Sequence, residues 1–64
     1  MANKSEFMSP KELAEFLGIS VASLYTMNTY GTAPRRIRVG RHIRYRRTDV
    51  DAWLDSNVIE GRAA

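Results

Sequence analysis

The chain has 64 residues, a formal net charge of +3, no cysteine and one histidine, His42. A domain of this size buries only about 60% of its unfolded surface, which leaves no room for a sizeable substrate pocket beside a core. Disulfides and thiolate metal centres are excluded, and His42 stands among arginines, so neither a metal site nor a cofactor is expected.

No apolar run approaches the ~20 residues needed to span a bilayer. Residues 1–7 lead into no signal-peptide core and read as a flexible N-terminal tail. A cytoplasmic protein with no membrane partner is expected.

Ser9-Pro10-Lys11-Glu12 marks a helix start. Ser9 can cap, Pro10 suits the first helical position, and Glu12 completes a capping box. Met8 and Leu13 are placed for a hydrophobic staple. The spacing of Leu13, Phe16 and Leu17 carries this helix to about Leu17, and Gly18 supplies a left-handed stop.

A second helix starts almost at once, with Ser20 as cap and Ile19 and Leu24 as a second staple. Val21, Leu24, Met27 and Asn28 follow helical spacing, which predicts a helix over 21–28. Residues 29–34, Thr-Tyr-Gly-Thr-Ala-Pro, read as a loop. Two capped helices separated by Gly18-Ile19, with small Ala14 where close crossing requires it, fit a helix-turn-helix.

Residues 35–47 hold seven of the ten basic side chains and none of the seven acidic ones. The rest of the chain is a mildly acidic body. Arginine and apolar residues alternate around Gly40-Arg41-His42, which predicts a two-stranded hairpin with an apolar and a cationic face. A two-residue loop at Gly40-Arg41 would pair Val39 with His42 and split the apolar set between faces. A three-residue loop pairs Val39 with Ile43 and Ile37 with Tyr45, and is the register expected here. Like charge at this density calls for a polyanionic partner.

Thr48 caps a short third helix ending near Ser56, with Asp49 and Asp51 in its first turn and Val50, Trp53 and Leu54 as its buried stripe. Tyr45 and Trp53 are expected in the core. Residues 57–64 read as a C-terminal tail. Its Ile59-Glu60-Gly61-Arg62 spells a common engineered protease site and is either native or a cloning remnant. The folded domain is therefore placed at 8–56. Its expected class is α+β: a small winged helix-turn-helix of two helices, a two-stranded antiparallel wing and a short C-terminal helix.

The order Ser9-Pro10-Lys11-Glu12-Leu13-Ala14, Leu17-Gly18-Ile19-Ser20, Leu24-Tyr25, Pro34, Ile37-Arg38-Val39-Gly40-Arg41 and Tyr45-Arg46-Arg47-Thr48-Asp49-Val50-Asp51-Ala52-Trp53-Leu54 resembles the excisionase and AlpA-like proteins with a MerR-like winged helix-turn-helix. The resemblance covers about residues 8–55. Its most specific parts are the Val39-Gly40-Arg41 tip and the Arg-Thr-Asp…Ala-Trp-Leu ending. It implies a sequence-specific partner of double-stranded DNA. Such a protein binds attachment-site DNA, bends it and assists a phage-type integrase in excision of a phage or mobile element. A small transcription regulator of the AlpA or MerR-like kind is the alternative the resemblance leaves open. Cooperative head-to-tail self-association on DNA and a nucleoid location accompany either reading.

The expected DNA-facing residues are Ser20, Ala22, Ser23, Tyr25, Thr26, Asn28 and Thr29 from the second helix, and Arg36, Arg38, Arg41, His42, Arg44 and Arg46 from the wing. Proteins of the resembled group often carry a basic residue soon after the helix-two aromatic, whereas Thr26-Met27-Asn28 follows Tyr25 here. With no Lys or Arg in 21–28, direct base readout is expected to be modest and arginine electrostatics to dominate, through about four to six phosphates. Arg41 is expected in the minor groove, with Arg38 and Arg44 on phosphates. Plainer roles stand beside these: Ser20 as a cap, Tyr25 in the core, Asn28 as a helix end, His42 as a loop residue, and Arg35, Arg36 or Arg47 paired with Asp49, Asp51 or Asp55. No nucleophile–base–orienter spacing is present, so an enzyme is not expected. Exposed aromatic platforms of the kind single-stranded RNA usually needs are not expected either.

Overall fold

In the computed structural model, which describes residues 6–60, Ser9 begins the first helix as its sequence dictates. The Ser9 hydroxyl accepts from the Glu12 N–H at 3.1 Å, while the Glu12 carboxylate accepts from the Ser9 N–H at 2.9 Å. This capping box opens α1, Pro10–Leu17, and Gly18 closes it in the left-handed conformation. The Ile19 and Gly18 amides donate back to the Ala14 and Glu15 carbonyls.

Helix α2, Val21–Tyr30, begins at Ser20, whose hydroxyl accepts from the Ser23 N–H. It runs two residues beyond the expected end at Asn28. The stop is Gly31, at φ 74°, and the Gly31 and Thr32 amides donate to the Asn28 and Met27 carbonyls. Thr29 and Tyr30 have ordinary helix propensity and nothing ends the helix before a residue that tolerates a left-handed backbone.

The sheet has three strands where two were expected. Strand β1, Phe7–Met8, joins β2, Ile37–Val39, and β3, His42–Arg46, in the order β1-β3-β2. Phe7 therefore belongs to the sheet and not to the N-terminal tail; residues 1–5 of that tail, and residues 61–64, lie outside the described residues. Both neighbours are antiparallel to β3, with Met8 opposite Tyr45 on one side and Val39 opposite His42 on the other.

That register corrects the expected three-residue loop. The wing turns on Gly40-Arg41 alone, pairing Ile37 with Arg44 and Arg38 with Ile43. Two forces set it. Gly40 takes φ 64°, which suits the first position of a two-residue primed turn whose twist matches the strands. Tyr45 already has an apolar cross-strand partner in Met8, so Ile37 is not needed there.

Directly opposed side chains share a face. The inner face thus carries Met8, Tyr45, Ile43 and Arg38, and the outer face carries Ile37, Val39, His42 and Arg44. The expected split into one apolar and one cationic face does not occur, and Val39 is 52% exposed.

Strand β3 leads straight into α3, Arg47–Ser56, with Arg46 as its N-cap and no side-chain cap. Thr48 was expected to cap; it lies inside the helix, because no loop separates strand from helix.

The core gathers Met8, Leu13, Ala14, Leu24, Tyr45 and Val50 from α1, α2, α3 and the sheet, with Leu17, Ile19, Val21, Ile43 and Leu54 packed around it. Trp53 is half-buried, outside the fully buried core where it was expected, and its indole N–H donates to the Thr32 carbonyl at 2.8 Å. Phe16 is 48% exposed instead of joining the buried stripe; the Arg47 guanidinium stacks 4.9 Å from its ring centre.

Candidate nucleic-acid interface

Helix α2 presents Ala22, Ser23, Tyr25, Thr26, Thr29 and Tyr30 to solvent while Leu24 fills the core. Tyr25, open between core and surface on sequence grounds, is 53% exposed. The exposed hydroxyls are largely engaged within the helix. Thr26 donates to the Ala22 carbonyl, Thr29 to the Tyr25 carbonyl, and the Ser20 hydroxyl both caps Ser23 and bonds its side chain. What remains is methyl groups, acceptor lone pairs and the Tyr25 phenol. These can touch thymine methyls or accept from bases, with limited donor capacity.

Asn28 does not join this face. It is half-buried, its amide nitrogen donates to the Tyr45 hydroxyl at 3.0 Å, and its oxygen accepts from Arg36 at 3.3 Å. Both halves of the amide have protein partners, which compete with the paired adenine contact that an asparagine can make. The structure places this expected DNA-facing residue half-buried, with protein partners on both sides of its amide.

The wing arginines divide into three kinds. Arg46 and Arg47 pair with Asp49 at 3.2 Å and Asp51 at 3.1 Å. The second is one of the several pairings the sequence left open for Arg35, Arg36 or Arg47 with Asp49, Asp51 or Asp55; the first engages an arginine expected on DNA. Exposed pairs of this sort contribute about 0–1 kcal/mol, so Arg46 can exchange its partner at little cost. Arg44 is half-buried and folds back to donate to the Ile43 carbonyl, while Arg36 is held by Asn28. Arg35, Arg38 and Arg41 make no side-chain hydrogen bond or ion pair among the described residues and are exposed. Arg41 stands at the wing tip with His42 beside it, both exposed.

An open cleft of about 470 Å³ lies on the inner side of the wing, lined by Arg35, Arg36, Arg38 and Ile43. Arg35 was set aside for an ion pair by its sequence context. Its place beside Arg36, just after Pro34, was the available signal that it shares the cleft.

A family model described as a helix-turn-helix domain matches residues 7–58. The chain belongs to this helix-turn-helix family. The match takes in both helices of the turn, the wing and α3, and the family lies in the AlpA/excisionase-like group. This winged helix-turn-helix chain is accordingly a DNA-binding domain. Among curated proteins none matches it. Among the described residues, no helix of this helix-turn-helix protein is long and apolar enough to cross a membrane, and no group of three or more His, Cys, Asp or Glu residues could hold a metal ion.

Proposed function

We propose that this helix-turn-helix protein is an excisionase-type accessory factor. In this reading it binds attachment-site DNA, bends it and assists a phage-type integrase in excision of a mobile element. The observation that carries the reading is the charge arrangement: a wing and cleft of arginines beside a recognition helix with no charged residue at all. A protein so built grips the backbone strongly and reads bases lightly, which suits an architectural role. Support also comes from the ordered resemblance over residues 8–55.

In the proposed complex α2 lies in the major groove and offers Ser20, Ala22, Ser23, Tyr25, Thr26 and Thr29. Arg41 enters the adjacent minor groove, His42 lies beside it, and Arg36, Arg38, Arg44 and Arg46 meet phosphates. The acidic body of one copy and the basic wing of the next support cooperative head-to-tail assembly along DNA, in a nucleoid setting. No chemical step is assigned to the chain; catalysis belongs to the integrase.

The test is excision of a substrate carrying the element's attachment sites by its integrase, with and without the protein. Excision that depends on the protein is expected. Equal excision in both, with repression of an adjacent promoter instead, would replace this reading with that of a small transcription regulator.

A further inference from the structure

The cleft lined by Arg35, Arg36, Arg38 and Ile43 is tied to α2 through an arrangement that neither the family nor the charge pattern assigns. Arg36 donates to the Asn28 oxygen at 3.3 Å, and Asn28 donates to the Tyr45 hydroxyl at 3.0 Å. A guanidinium only donates, so the amide oxygen accepts from Arg36; the Tyr45 hydroxyl accepts from the amide nitrogen and also lies 3.4 Å from the same oxygen, within donating distance. Tyr45 is fully buried, so the chain of bonds is anchored in the core.

We propose that Asn28 is a positioning residue that holds Arg36 in the cleft with Arg35 and Arg38, where the three guanidinium groups clamp one backbone phosphodiester of duplex DNA. The proposal rests on the DNA-binding reading. Three observations support it. An arginine loses rotamer entropy on being fixed, and here the Asn28 bond makes part of that ordering precede the ligand. One terminal nitrogen holds Asn28, which leaves the rest of the guanidinium fork for a phosphate. The tether is a neutral amide, so it orients the guanidinium without cancelling its charge, and no carboxylate lines the cleft. The place fits as well. With α2 in the major groove and the wing tip in the minor groove, the phosphate strand between the two grooves passes this notch.

The experiment measures binding of a fluorescent mixed-sequence duplex across a salt series by anisotropy. The proteins are the wild type, Arg36→Ala, Asn28→Ala, the double variant, Tyr45→Phe and Arg41→Ala, each checked by thermal melting. Arg36→Ala is expected to weaken binding roughly tenfold and to reduce the log affinity–log salt slope by about one. Asn28→Ala should weaken binding several-fold with the slope unchanged, because the charge stays, and should have no further effect once Arg36 is gone. An equal loss in both backgrounds would show Asn28 acting on its own and overturn the positioning role. Should Asn28→Ala fail to fold, Tyr45→Phe, which keeps the ring and removes the anchor, is combined with Arg36→Ala and held to the same criterion. Arg36→Ala with unchanged affinity and slope, while Arg41→Ala weakens binding, overturns the cleft and leaves DNA binding intact. No binding of the duplex by the wild type at any salt would defeat the DNA-binding reading underneath, and salt-independent binding would defeat the phosphate clamp.

Discussion

Helix α2 and the wing differ sharply in charge, and the proposed mode of DNA binding divides the work between them. The helix has no charged residue, and its threonine hydroxyls donate to its own carbonyls. Seven arginines stand in and around the wing, three of them without a side-chain partner among the described residues. Base reading needs donors and acceptors aimed outward, whereas backbone grip needs uncompensated positive charge. In the proposed binding mode the two requirements are met on separate elements, joined by the Tyr45–Asn28–Arg36 chain.

Removing the join breaks the comparison most severely. Tyr45→Ala empties the centre of the core and is expected to cost about 3–5 kcal/mol, enough to unfold most of a domain this size, as read by urea denaturation. Next comes Arg41→Ala, which should weaken DNA binding by roughly 1–2 kcal/mol at unchanged melting temperature; a melted fold with intact intrinsic affinity would remove the wing tip from the interface. Gly40→Ala places a Cβ at φ 64°, where space is open but the backbone is disfavoured, and should destabilise by about 1–2 kcal/mol in thermal melts. Ser9→Ala, at the far end of α1, should cost about 1 kcal/mol of stability and leave DNA affinity alone once the protein is folded.

The smallest effect sharpens the contrast within the wing. Replacing Arg38, which has no side-chain partner among the described residues, should reduce the salt slope by about one, while replacing Arg46, paired with Asp49, should reduce it by less. Equal reductions from the two would mean that Arg46 abandons its carboxylate on binding.

The helices were legible because their signals are local. A capping box spans four residues, and a left-handed glycine announces a stop wherever the chain first meets one. The one error at α2 came from taking Thr29-Tyr30 as a loop before Gly31 was reached. That an arginine at the end of the wing pairs with an aspartate of α3 was legible in part: Arg47 takes Asp51, one helical turn away, among the several pairings left open.

The wing register was not legible, for a physical reason. Matching Ile37 to Tyr45 assumed that the wing's apolar residues share one face, and Met8, thirty-seven positions earlier in the numbering, supplies the apolar partner of Tyr45 across the sheet. A two-residue strand that exists only by pairing with β3 carries no periodicity of its own to detect. For the candidate site, the sequence by itself determined that arginines crowd one segment and avoid α2, because charge density is a property of composition. Only the tertiary structure decided which arginines keep their charge exposed and what holds them. Asn28 meets Tyr45 and Arg36 through folding of α2 against the sheet, and no spacing in the chain encodes that meeting.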